Sequence, residues 1–111
     1  MDNGFVEIRD GEGLERFLAG AEGASVLLKH SETCGVSARA YAELAKLNEP
    51  VGLITVQKAR PLSDEIERRW NLPHETPQVL IIHGGKLVWD ASHFRVKADA
   101  VKAALSEASS K

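Results

Sequence analysis

The stretch Ser31-Glu32-Thr33-Cys34-Gly35-Val36-Ser37 holds the only cysteine of the chain and, shortly after it, a serine. Thiolate chemistry is what such a cysteine can do. Only the ionised sulfur attacks a disulfide, so reactivity depends on what lowers the thiol pKa. Ser31, Glu32, Thr33 and Gly35 are polar or small, as in an exposed loop. They argue against the alternative of a buried and inert thiol, the commonest state of a lone cysteine. Ser37 stands where a dithiol enzyme would carry its second, resolving sulfur. A hydroxyl cannot displace a mixed disulfide, but it can donate a hydrogen bond to a thiolate and lower its pKa. Ser37 could equally be a plain first-turn helix residue. Under both readings the chemistry is monothiol: whatever Cys34 captures must be removed by a second molecule.

A cysteine is activated when it opens a helix, where unpaired N–H groups and a partial positive charge converge. The surrounding sequence predicts that placement. Phe5-Val6-Glu7-Ile8 reads as a short strand, and Leu14, Phe17, Leu18 and Ala21 recur at helical spacing. Val26-Leu27-Leu28 is too short a run for a helix and reads as a buried strand. After the cysteine, Val36, Ala40, Leu44 and Leu47 line one helical face that ends at Asn48-Glu49-Pro50. Val51 to Val56 is a β-branched strand, and Pro61 starts a third helix with Ile66 and Trp70 inward. Gln78–His83 and Lys86–Asp90 flank Gly84-Gly85, a hairpin signal. Val101, Ala104, Leu105 and Ala108 carry a last helix, with a polar, fraying tail over 106–111. The order β-α-β-α-β-α-β-β-α predicts an α/β protein, a mixed central sheet with helices on both faces, which is the layout of thioredoxin-like domains.

In this layout Thr76-Pro77 lies beside Cys34. The fold favours the cis form of Pro77, which lets Thr76 offer its backbone to an extended substrate. Thr33, Gly35, Thr76 and Pro77 form the expected substrate-binding set, with Cys34, Ser37 and His93 as the expected catalytic set. His93 follows the last strand, at the cysteine end of the sheet; as an imidazolium it could stabilise the thiolate or protonate the leaving thiol. His30 could pack or act chemically, while His74 and His83 read as solvated. The histidines and Cys34 lack metal-ligand spacing, so no metal is expected. Trp70 and Trp89 read as core or rim aromatics.

The chain's 111 residues suit one domain, expected over 1–111. A net charge of −2 gives no sign of a nucleic-acid or membrane-surface footprint. No apolar run approaches a membrane span. Met1-Asp2-Asn3-Gly4 shows no signal-peptide pattern, and a single cysteine cannot form an internal disulfide, so a reducing cytoplasm is the expected setting.

Three segments together resemble a known family: Leu28-Lys29-His30-Ser31-Glu32-Thr33-Cys34-Gly35-Val36-Ser37, then Thr76-Pro77-Gln78-Val79, then Val88-Trp89-Asp90-Ala91-Ser92-His93-Phe94. They are similar to the YtxJ-type monothiol bacilliredoxins, thioredoxin-fold proteins, and the similarity runs in order from about Leu14 to Leu105. The resemblance implies removal of bacillithiol from S-bacillithiolated client proteins under oxidative stress. The Cys34 thiolate would take up the bacillithiol, and a second small thiol or a reductase would regenerate it. Bacillithiol or a similar thiol is then a co-substrate, no cofactor is needed, and the protein is expected to be a monomer or weak dimer. Lys29 and Arg95 could attract the carboxylates of bacillithiol. The family usually has Cys-Pro-Ile-Ser where this chain has Cys-Gly-Val-Ser.

Two other readings remain open on the residues. Cys-Gly-Val-Ser also resembles the Cys-Gly-Phe-Ser of monothiol glutaredoxins, which implies a [2Fe–2S] carrier. The Gly-Gly-Cys-Asp-like stretch of that family is replaced here by Asp90-Ala91-Ser92-His93. The third reading is a non-enzymatic interaction domain with an incidental thiol.

Overall fold

The structure, a computed structural model, describes residues 4–21 and 23–109. Five strands form one sheet: β1 Phe5–Glu7, β2 Ser25–His30, β3 Val51–Thr55, β4 Gln78–His83 and β5 Lys86–Ser92. Four α-helices lie between and after them: α1 Gly11–Ala19, α2 Gly35–Leu44, α3 Arg60–Trp70 and α4 Ala98–Ser109, with a 3₁₀ turn at His93–Arg95. The spatial order is β1-β3-β2-β4-β5, with β1, β3 and β2 parallel and β4 and β5 antiparallel.

Both faces of this sheet are covered, so its central strands are continuous apolar runs. Alternate residues divide between two cores. Leu28, Val79 and Ile81 meet Ala40 and Leu44 of α2 and Val101 of α4. Leu27, Leu80 and Ile82 meet Leu14 of α1 and Leu62 and Ile66 of α3. Gly52 in β3 leaves room for its neighbours, Phe17 of α1 among them: a Cβ there would come 2.7 Å from Ile8 Cδ1, 2.8 Å from Leu27 Cδ2 and 3.0 Å from Phe17 Cε2. The hairpin turn at Gly84-Gly85 has φ values of +60° and +80°, the two left-handed residues that a type I′ turn needs. The Trp70 indole N–H donates to Gly85 O at 3.1 Å, so Trp70 closes the end of α3 onto the hairpin with its ring only half-buried.

Several boundaries differ from expectation. β2 runs on to His30 because Lys29 and His30 pair with Ile54 and Thr55 of β3, and Lys29 also with Gln78 of β4. Helix α2 stops at Leu44, yet Leu47 still faces inward, because Lys46 and Leu47 donate to the carbonyls of Glu43 and Leu44 in tighter turns. Helix α1 begins earlier than its apolar pattern, capped by Asp10, whose carboxylate accepts from Gly13 N–H at 2.8 Å. The expected tail is a correction: residues 106–109 continue α4, held by the buried Ala108, while 110–111 lie outside the described residues, as does the N-terminal segment 1–3.

Candidate active site

Cys34 is the N-cap of α2, with extended backbone (φ −110°, ψ 123°), so its side chain stands at the helix mouth, partly exposed. It makes no short capping hydrogen bond, but the groups around it lower the thiol pKa from its ordinary 9.0. The backbone N–H of Ser37 contributes most, then that of Val36, and the Ser37 hydroxyl adds a smaller contribution against the opposing effect of partial desolvation. The helix start thus activates the sulfur mainly through main-chain donors.

Ser37 has a further role that the sequence did not reveal. Its side chain is fully buried, and its Oγ accepts the backbone N–H of Ser31 at 3.2 Å, tying the first turn of α2 to the end of β2. A second clasp comes from Gln57, in the turn after β3. Its amide donates to Ser31 Oγ at 2.8 Å and accepts from Glu32 N–H at 3.1 Å. Thr33 joins this network: its N–H donates to Ser31 Oγ at 3.4 Å, and its hydroxyl lies 3.3 Å from the same oxygen. Thr33 is exposed beside the sulfur, and Gly35 is exposed too, with nothing within 4 Å of where a Cβ would stand. Gln57 carried no sequence signal, being separated by 25 or 26 positions from the loop it holds.

The peptide bond Thr76–Pro77 is cis. Continuing the Lys29↔Gln78 register by one step sets Pro77 across from His30, at the strand end that leads into the Cys34 loop. Pro77 is buried and Thr76 half-buried. His93 is anchored here, its N–H donating to Pro77 O at 2.9 Å with its own φ at +56°. Its ring is directed to Glu75, with Nδ1 3.2 Å from the carboxylate, so the imidazole is committed to an acid at the site. The next residue, Phe94, is 63% exposed, the most exposed large apolar side chain among the described residues.

Lys29 is not the solvated cation that its type suggests. It is completely buried on the α3 face of the sheet, where its ammonium reaches only Ser63 O, at 3.4 Å. Burial lowers its pKa, opposed by Glu67 and Asp64. It cannot meet a carboxylate in solution. Ser63 Oγ lies 3.3 Å from His74 Nδ1, and Gln78 donates to Pro73 O at 3.0 Å while its Oε1 has no partner among the described residues. His30 is half-buried with its ring 5.4 Å from Tyr41, which stacks on Phe5. Burial lowers the His30 pKa, with Glu32 opposing. That environment is one of packing.

A cavity of about 600 Å³ lies at the other end of the sheet, around Phe17, Ala24, Glu49 and Leu105, away from Cys34. Among the described residues, no group of three or more His, Cys, Asp or Glu side chains is placed to hold a metal, and no helix is long and apolar enough to cross a membrane.

Solved structures share this fold. A solved structure of a thioredoxin-fold protein described as a candidate oxidoreductase is 29% identical, covers 90% of this chain and 92% of its own, and superposes with a TM-score of 0.83. A mutant thioredoxin from Halobacterium salinarum NRC-1 is 14% identical over 96% of this chain and 92% of its own, with a TM-score of 0.76. Spinach chloroplast thioredoxin f is 19% identical over 94% and 92%, with a TM-score of 0.70. These two share the thioredoxin fold alone. The profile of the monothiol bacilliredoxin BrxC matches residues 6–101, a span that includes Cys34, Ser37, Pro77 and His93. With one activated sulfur at a helix mouth and no second thiol to resolve it, this thioredoxin-fold chain belongs to the monothiol bacilliredoxin family, and its function is thiol redox chemistry.

Proposed function

We propose that the protein removes bacillithiol, or a closely similar low-molecular-weight thiol, from mixed disulfides on client proteins in the cytoplasm, acting as a monomer or weak dimer without a cofactor. The observation that carries this is the N-cap position of a lone cysteine whose pKa is lowered by the Ser37 and Val36 amides. The Cys34 thiolate attacks the small thiol's sulfur in the mixed disulfide. A Cys34–thiol disulfide forms as the client's S–S bond breaks, and the client leaves as a thiolate that takes a proton from water. With Ser37 in the resolving position, a second small thiolate or a reductase attacks the adduct, releasing the symmetrical small disulfide or its reduced thiol and restoring Cys34. Thr76 and Pro77 support the client strand, Thr33 and Gly35 leave the sulfur open to it, and His93 stands beside Pro77 with its ring against Glu75.

Mass spectrometry of the reduced protein after incubation with bacillithiol disulfide and with glutathione disulfide tests the reading. The expected result is one adduct per chain at Cys34, forming faster with bacillithiol, and none in Cys34→Ser. An alkylation midpoint at the ordinary thiol value, with no adduct from either disulfide, would reject it.

A further inference from the structure

Between α2 and the 3₁₀ turn lies a groove of about 190 Å³, walled by Arg39 and Glu43 on one side and by His93, Phe94 and Lys97 on the other. It starts at the residue bonded to Pro77 O. It runs along α2 from a point about 7.5 Å beyond Cys34, given a rise of 1.5 Å per residue. The acid that lines it, Glu43, is already engaged: it accepts from Lys46 Nζ at 2.8 Å with one oxygen and from Ala98 N–H at 2.8 Å with the other. Arg39 and Lys97 form no salt bridge among the described residues. The Arg39 guanidinium lies over the exposed Phe94 ring, 6.0 Å from its centroid. The groove therefore offers an aromatic wall and two cations that form no salt bridge among the described residues, although Arg39 also feels the charge of Glu43, on a chain whose net charge is −2. Local positive charge on an acidic protein points to an anionic ligand.

We infer that this groove is the subsite for the carboxylate-bearing part of the small thiol, with Arg39 and Lys97 receiving the carboxylates and Phe94 covering the linking carbon skeleton. The inference rests on the proposed disulfide exchange at Cys34 and assigns its specificity. It moves the anion contact from Lys29, which is buried, and Arg95, which is exposed but does not line the groove, to Arg39 and Lys97. A client's own acidic residue next to its modified cysteine offers the same chemistry, and the test separates the two sources.

The test measures the rate of Cys34 adduct formation with three disulfides: dithiodipropionate (anionic), bis(2-hydroxyethyl) disulfide (neutral) and cystamine (cationic). The neutral reagent reports on Cys34 chemistry itself; if wild type fails with it, the proposed function fails, whatever the groove does. For each variant the anionic-to-cationic rate ratio is divided by that of wild type, which cancels the reagents' intrinsic reactivities. In Arg39→Gln/Lys97→Gln this value should fall about tenfold, while Arg16→Gln, at the far end of the sheet, should leave it at one. In wild type, added salt should slow the anionic reagent and not the cationic one. An unchanged ratio together with salt-independent rates overturns the subsite. The second arm uses two peptide mixed disulfides, one with neutral flanks carrying mercaptopropionate and one with an aspartate beside the cysteine carrying mercaptoethanol. Selective slowing of the first in the double variant supports the small-thiol assignment; selective slowing of the second overturns it.

Discussion

Two polar clusters lie at the cysteine end of the sheet, and their chemistry differs. Around the first turn of α2, Ser31, Thr33, Ser37 and Gln57 interlock: Ser31 N–H, Ser31 Oγ, Glu32 N–H and both ends of the Gln57 amide are partnered at 2.8 to 3.4 Å. On the α3 face, Lys29 has a single long bond at 3.4 Å and Gln78 Oε1 has none. The first cluster is neutral and carries a charge only at the half-exposed sulfur. The second places an ammonium in the core with no carboxylate within salt-bridge distance among the described residues. A satisfied network fixes geometry, whereas a poorly satisfied one lowers stability and makes it depend on pH. The reactive loop thus stands on the well-made cluster, and the strand leading into it crosses the costly one.

Breaking the first cluster at its buried member should have the largest effect. In Ser37→Ala, the buried Ser31 N–H loses its acceptor, and leaving such a donor unpaired costs about 1–3 kcal/mol. Chemical denaturation should show that loss. The alkylation midpoint of Cys34 should rise only slightly, because the Ser37 backbone N–H, which the substitution retains, is the main cause of the lowered pKa. A midpoint that climbs to the free-thiol value with little change in stability would reverse the two roles assigned to this residue.

The same contrast explains what could be read from the sequence. The hairpin, the helix behind Cys34 and the Thr76–Pro77 approach are set by short-range signals: Gly84-Gly85, a polar loop before an amphipathic run, and a proline ahead of a buried strand. Those fixed the fold and the cysteine's placement. The second clasp comes from Gln57, in a turn after another strand, and Ser37 reaches back to Ser31 through its side chain rather than forward to the sulfur alone. Lys29 was illegible for the opposite reason. A lysine at the end of an apolar run reads as a surface residue, and its acceptor, Ser63, is 34 positions away on α3. The exposure of Phe94 and the pairing of His93 with Glu75 depend on how the 3₁₀ turn is aimed, and that turn has no clear periodic signature.

The second cluster is tested by Lys29→Met, whose unbranched side chain is one atom shorter and lacks the buried ammonium. Stability should rise by about 1 kcal/mol, within the range found for burying poorly bonded polar groups. The pH dependence gives a sharper signature. His74 has its pKa lowered first by desolvation and then by Lys29, with Arg60 acting in the same direction and Glu67 and Asp64 against it. Its folded pKa therefore lies below the unfolded 6.5, and between the two values the unfolded chain binds more protons. Stability is fully present above 6.5 and falls as the pH drops through that window. In Lys29→Met, His74 no longer faces the ammonium, so the acid-side fall in Tm should become shallower than in wild type. An identical acid limb in the two proteins would show that the clusters differ in wiring but not in electrostatics.

The smallest effect separates geometry from stability within the first cluster. Gln57 is exposed, so Gln57→Ala should cost no more than about 1 kcal/mol, the net value of ordinary hydrogen bonds near water. Its influence should instead appear in rate. Without the amide, Ser31 Oγ and Glu32 N–H lose their shared partner, and the loop before Cys34 is held through Ser37 and the exposed Glu32–Lys58 ion pair. Adduct formation should slow about threefold across all pH values, with the alkylation midpoint unmoved, because the helix amides that face the sulfur are untouched. Gln57→Glu retains the size and an acceptor, but it cannot donate to Ser31 Oγ and presents its charge to a developing thiolate, so it should slow the reaction further and raise the midpoint. If alanine and glutamate behave alike, the amide acts only as a spacer, and the interlocked cluster owes its order to Ser37 and not to Gln57.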